Sequence, residues 1–186
     1  MEQPYPKKLS IDPIIECLFE IRFKPTPNIS TSDILPGILF GSSRAEYPRT
    51  TKLPASQVPI DIRLQDPHLS YSPTFRMEND QFAIMIGDNV FSLSCQRPYV
   101  GWDQFKQKIL SLVKLIIDSG TIKNVERFSL KYINLLTENT KHKGLNLLDS
   151  KVSIGAFNLN EIGCNIRMEI PNNDVINIID IASSAK

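Results

Sequence analysis

The chain reads as an α+β protein: a mostly antiparallel sheet with two main helices packed on one face. Three observations predict this. Several segments alternate apolar and polar residues with a period of two, the mark of half-buried strands. One long segment instead places apolar residues three and four apart, the period of a helix face. Turn-forming tracts, above all Gly87-Asp88-Asn89 and Asn172-Asn173-Asp174, join strand-like runs directly, which implies antiparallel pairing.

Taken in order, the first strand is expected over Ile14 to Phe23. Ile15, Cys17, Phe19, Ile21 and Phe23 form its apolar side, and Pro25 and Pro27 end it by removing ladder donors. A helix is expected within Ser30 to Glu46, capped by Thr31 or Ser32 and starting near Asp33. Pro36 fits its first turn, and Ile34, Ile38, Leu39 and Ala45 give a loose stripe. The proline-dense tract from Tyr47 to Pro73 excludes a long helix and suggests extended segments, with Ile60, Ile62 and Leu64 as a short strand. Leu69, Tyr71 and Phe75 hint at another.

A hairpin follows. Phe82, Ile84 and Ile86 share one face, and Phe91, Leu93 and Cys95 return on it, leaving Ser92 and Ser94 outward. The principal helix is predicted over about Asp103 to Ser119, with Phe105, Ile109, Leu112, Val113 and Ile116 inward. Asp103 is its expected N-cap, and Gly120 fits the left-handed position after it. Val125 to Leu136 is again strand-like, with Phe128, Leu130, Tyr132 and Asn134 on one side. Gly144 to Asp149 suits a helical turn. Glu161 to Ile170 and Val175 to Ala182 complete the pattern. Phe19, Phe23, Phe82, Phe91 and Phe128 are all expected in the core.

At 186 residues and 41% hydrophobic content the chain is long enough for one domain over 1–186. The alternative division is two lobes, about 1–136 and 137–186, the second incomplete. The last strand-like run has no closing element after it, so a further C-terminal helix or a partner is expected to cover that edge.

Charge is nearly balanced, 21 basic against 20 acidic residues for a net +1. A nucleic-acid binder ordinarily shows a basic excess or stripe, so composition argues against nucleic acid. The Lys141-His142-Lys143 run reads as a solvated loop. No basic-then-apolar leader opens the chain, and no apolar run approaches the roughly 18 residues a membrane span needs, so no membrane partner is expected. The three cysteines, Cys17, Cys95 and Cys164, are scattered among strand-like residues and read as buried, reduced thiols of a cytoplasmic protein.

No catalytic constellation stands out. His68 and His142 lack neighbouring ligands at metal spacing, and no phosphate loop or nucleophile elbow occurs. No catalytic residue, metal or cofactor is therefore assigned. The candidate binding residues are of three kinds. Glu16, Glu20 and Arg22 share one side of the first strand, where paired carboxylates could do acid–base work or, more simply, form an ion pair on a solvated face. Tyr132 and Asn134, with Arg127 nearby, could present hydroxyl, amide and guanidinium groups to a peptide or a small polar ligand in a pocket between sheet and helix. Tyr99 and Trp102 flank Gly101 at the helix start, where aromatics can anchor a partner or fix the helix.

In order, Ile14-Ile15-Glu16-Cys17-Leu18-Phe19-Glu20-Ile21-Arg22-Phe23, the Ile86-Gly87 turn into Phe91-Ser92-Leu93-Ser94, Tyr99-Val100-Gly101-Trp102 and Arg127-Phe128-Ser129-Leu130-Lys131-Tyr132-Ile133-Asn134 resemble a sporadically distributed prokaryotic family of proteins of unknown function. The resemblance spans about Leu9 to Ile181. Members of that family look longer, with a C-terminal helical region that this chain lacks. The resemblance implies no catalytic residues. Its patchy distribution hints at mobile genes, which suggests a non-enzymatic macromolecular binding module of antitoxin, immunity or defence type. Its expected partner is another protein or a second copy of the chain; an enzyme or small-ligand receptor is the alternative.

Overall fold

A computed structural model describes residues 12–137, 144–148, 150–158 and 163–183. The fold is α+β with an antiparallel sheet, as the alternating segments predict. By contacts the chain divides into two units, Met1–Leu135 and Leu136–Lys186.

The first unit is built on a six-stranded sheet. Its strands are β1 (Ile14–Pro25), β2 (Arg49–Lys52), β3 (Pro73–Glu78), β4 (Phe82–Gly87), β5 (Val90–Gln96) and β6 (Ile122–Asn134). Their spatial order is β2-β3-β4-β5-β1-β6, and every neighbouring pair is antiparallel. The first strand in sequence therefore lies near the far end of the sheet, between the second hairpin strand and the strand that follows the main helix. The helices are α1 (Thr31–Ser43), α2 (Ile60–Gln65) and α3 (Trp102–Asp118).

Register explains the core. Cys17, Phe19 and Ile21 on β1 face Cys95, Leu93 and Phe91 on β5. These in turn face Phe82, Ile84 and Ile86 on β4, and Phe75 and Met77 extend the row onto β3. Because opposed residues point to the same side of a pleated sheet, one continuous apolar face results. Leu35 and Leu39 of α1 and Phe105, Ile109, Leu112 and Ile116 of α3 join these strand residues in a single buried cluster. Phe82 and Phe105 stack with ring centroids 6.5 Å apart.

Several local expectations are corrected. Ile60, Ile62 and Leu64 alternate like a strand but lie in α2, opened by Pro59 and holding Arg63 inward. Helix α1 takes Ser30 as its N-cap and buries Leu35 and Pro36 along with Leu39, while Ile34 is exposed. Helix α3 begins one residue early, with Gly101 at the cap position and φ of 88°, a conformation that costs glycine little; Asp103 sits in the first turn. Gly120 has φ of 67°, the left-handed residue expected after α3. Ser92 and Ser94 are buried rather than outward. They are small residues on a central strand, flanked by Glu20 and Leu18 on β1 and by Met85 and Ala83 on β4. Gly87 matters for space: a Cβ there would stand 2.6 Å from the Ser72 carbonyl oxygen.

In the second unit, Gly144–Leu147 forms one 3-10 turn. Strands β7 (Ser153–Ile154) and β8 (Phe157–Asn158) make a minimal hairpin, and β9 (Asn165–Asn172) pairs with β10 (Val175–Ala182) through a turn with Asn173 at φ of 51°. The expected strand over Glu161 to Ile170 thus starts later. Glu161 and Ile162 lie outside the described residues, as do Lys141, His142 and Lys143.

Candidate functional site

The strand β6 separates from the rest of the sheet in its burial. Its residues Tyr132, Leu130 and Phe128 are opposite Cys17, Phe19 and Ile21 of β1, so they lie on the helix-covered face. Cys17 and Ile21 are buried, yet Phe128 is 66% exposed, Leu130 41% and Tyr132 38%. The expectation that Phe128 belongs to the core is therefore wrong. Periodicity placed it on the correct face, but the helical layer does not extend over it. Val125 continues the exposed row past a bulge: Arg127 pairs with Arg22 and Val125 with Phe23, which leaves Glu126 as the extra residue.

Among the described residues of the first unit β6 is also the outermost strand and is paired on one side only, with β1. Its outward-directed backbone groups thus stand beside an uncovered apolar row. The opposite face of β6 is cationic. Arg127, Ser129 and Lys131 alternate there, opposed by Arg22, Glu20 and Leu18. Glu126 is taken by Lys24 at 3.1 Å, and Glu20 by Arg22 at 2.9 Å. Neither Arg127 nor Lys131 has an ion-pair partner among the described residues.

At the end of β6 the apolar row becomes polar. The Tyr132 and Tyr99 hydroxyls are 3.2 Å apart, and their rings meet edge-to-face at 5.8 Å. Tyr99 also packs edge-on against Phe105 at the start of α3. Cys17 of β1 is directly opposite Tyr132 in the register. Burial pushes the Cys17 thiol up to about 12, so it is protonated at neutral pH and is not a ready nucleophile. Burial likewise raises the Tyr132 hydroxyl, reinforced by its bond with Tyr99, and raises Tyr99. These phenols are neutral hydrogen-bonding groups at physiological pH.

The structure brings together some of the expected site residues and not others. Tyr99 and Tyr132 meet. Trp102, three residues after Tyr99, is 45% exposed, and Asn134, two residues after Tyr132, is opposite Ile14. Arg127 is five residues from Tyr132 in an unbroken register, so the two project from opposite faces of β6. They do not share a pocket between sheet and helix, where Phe105, Ile109, Leu112 and Ile116 are buried instead. Glu20 and Arg22 pair, and the Arg22 guanidinium lies 4.3 Å from the centre of the Tyr71 ring. Glu16 stands apart, opposite Gln96 and Ile133.

Sequence reasoning missed Leu130 and Lys131 as site residues. Their alternation was visible; what it lacked was the strand order that puts β6 outermost. Among the described residues no group of three or more His, Cys, Asp and Glu could hold a metal ion, and no helix is long and apolar enough to cross a membrane. Two shallow depressions in the surface lie elsewhere. One is over Asp103, Gln107 and Ser111 on the outer side of α3, and the other is over Asn165, Arg167 and Asp180 on the β9–β10 hairpin. The chain matches no family model, no curated protein and no solved structure.

Proposed function

We propose that this chain is a non-enzymatic protein-binding module that captures an extended strand of a partner protein along β6. The observation that carries the reading is the coincidence on one strand, among the described residues, of an unpaired edge and an exposed row, Phe128, Leu130 and Tyr132. Strand addition draws affinity from main-chain hydrogen bonds and specificity from alternate side chains. Here the alternate positions ask for two chemistries. One side of the incoming strand must be apolar to lie beside Phe128 and Leu130. The other must be acidic to meet Arg127 and Lys131.

The same charges argue against a second copy as the occupant. Pairing β6 with itself while keeping the apolar rows together gathers Arg127 and Lys131 of both copies on one face, and like charges across strands are destabilising. A cognate protein encoded alongside, as antitoxin, immunity or defence systems require, is the partner class to which the sequence resemblance leads.

The test is a photo-crosslinking amino acid placed at Phe128, with a control at Gln107 on the outer side of α3. Cross-links should form at Phe128 and not at Gln107. They should disappear in the Arg127→Glu/Lys131→Glu variant, and the captured peptide should alternate apolar and acidic residues. Equal labelling at both positions, capture of a second copy of the chain, or cross-links indifferent to charge reversal would overturn the reading.

A further inference from the structure

We infer that Cys17 and Cys95 form a reversible dithiol–disulfide couple built into the centre of the sheet. The two residues are direct partners on adjacent antiparallel strands, β1 and β5. Opposed residues project to the same face, so both thiols lie side by side under the helical layer, and both are fully buried.

The register sets the type of pair. The Phe23 amide donates to the Asn89 carbonyl, at the position where the β1–β5 register continues past Arg22 and Val90. Hydrogen-bonded and non-hydrogen-bonded pairs alternate along an antiparallel ladder, which makes Cys17–Cys95, six residues back along β1, a hydrogen-bonded pair. The Gln96 amide bonds to Gln81 on the other side of β5, in phase with that assignment. Such pairs have Cα atoms about 5.5 Å apart, inside the range that disulfides span. Their Cβ atoms, however, are about 4.5–5.5 Å apart, whereas a relaxed disulfide needs about 3.5–4.5 Å. The bond can therefore close only by drawing the strands together locally. A strained disulfide is more easily reduced, which suits a reversible couple better than a permanent staple.

The chemistry balances with a small-molecule disulfide as oxidant. One thiol, after losing its proton, attacks oxidised glutathione and expels a glutathione thiolate. The second cysteine then attacks that mixed disulfide and expels the other glutathione. Two protein thiols become one S–S bond, two glutathione thiols are formed, and the two protons end on them. Burial of both sulfurs makes transient opening of the sheet a requirement for the first attack. The consequence within the fold is specific. Cys17 is directly opposite Tyr132, whose hydroxyl pairs with that of Tyr99, and Gln81 Nε2 lies 3.7 Å from the Cys95 sulfur, so closure draws Cys95 away from Gln81, shifts the strand beside Tyr132 and disturbs the Tyr99–Tyr132 pair.

The experiment is to unfold the full chain, refold it in a buffer of oxidised and reduced glutathione, trap free thiols under denaturing conditions and map the peptides. Refolding supplies the opening that the native state restricts. The expected result is loss of two of the three alkylatable thiols, with the Cys17 and Cys95 peptides joined and Cys164 free, and recovery of all three when the reduced form is in excess. The near-UV tyrosine signal should change with oxidation in the Cys164→Ser chain and stay constant in Cys17→Ser/Cys164→Ser. Three free thiols at every buffer composition, a bond to Cys164, or glutathione held on one cysteine alone would overturn the inference. The bond stands on the β1–β5 register and does not depend on partner capture by β6.

Discussion

At the scale of single residues, the most consequential interaction in the first unit lies away from the candidate site. The Arg63 side chain is almost fully buried in α2 and meets Asp88, in the β4–β5 turn, in a two-pronged ion pair of 2.7 and 2.9 Å. Its remaining nitrogen donates to the carbonyls of Val58 and Ala55. The hydrogen bonds to Asp88, with its charge, raise the guanidinium further above its ordinary value against the opposing effect of burial. Desolvating two charges is costly, and here the cost is offset because every prong of the fork is used. Removing one partner strands the other. Arg63→Ala should destabilise the chain by about 3–5 kcal/mol, and Asp88→Ala by a similar amount. The double variant should cost less than the sum, because neither charge is then left alone. Urea denaturation followed by circular dichroism measures all three, and additive losses would contradict the geometry. Nothing about Arg63 in the sequence marks it: it sits in a tract whose prolines and alternating Ile60, Ile62 and Leu64 look extended. The helix there is short, and the tertiary pull of Asp88 accompanies it inward.

At the scale of elements, α3 and β6 show what periodicity reveals and what it leaves hidden. The three-and-four spacing of Phe105, Ile109, Leu112 and Ile116 identified the inner side of α3 correctly, and all four are buried. Leu110 and Leu112 are chemically identical and two residues apart, yet one is 51% exposed and the other 3%. Leu112→Ala should therefore cost about 2–5 kcal/mol through lost transfer energy and a residual cavity. Leu110→Ala should stay within about 0.5 kcal/mol. Thermal and urea unfolding of the two variants would test this, and equal losses would mean that the helix sits differently on the sheet. On β6 the alternation of Phe128, Leu130 and Tyr132 was equally clear and gave the correct face. It could not give the position of β6 outside β1, because that depends on pairing between segments far apart in the chain. The meeting of Cys17, Tyr99 and Tyr132 was hidden for the same reason: each comes from a different part of the sequence, and only the β1–β6 register and the start of α3 bring them together. A residue pattern reports which side of a strand is apolar; the strand order decides whether that side is covered.

For the molecule as a whole, the two units differ in the means they have to stay folded. The first owns the buried cluster that runs from Cys17 through Leu35, Ile84 and Leu93 to Ile116, under two helices and across a sheet of six strands. The β9–β10 hairpin of the second has only two strands. Ile166, Met168, Ile170, Val175, Ile179 and Ile181 share one of its faces by register, and Met168, Ile170, Val175 and Ile179 are exposed. Its other face carries Arg167 paired with Glu169 and Asp180, all solvent-accessible, and exposed ion pairs add about 0–1 kcal/mol at most. A two-stranded hairpin is marginal in water even with good turn chemistry, whereas three or more strands with a packed helix fold independently. A chain ending after Thr137 should accordingly unfold in a single cooperative transition and keep slow-exchanging amides in β1, β4, β5 and α3, the elements that supply its core. A peptide of residues 163–183 should show no strand signal by circular dichroism and no protected amides. If the shortened chain instead lost its cooperative transition, the first unit would owe its stability to more than its own core. The proposed role of the first unit, which offers β6 to a partner, would then have to be tested on the full chain alone.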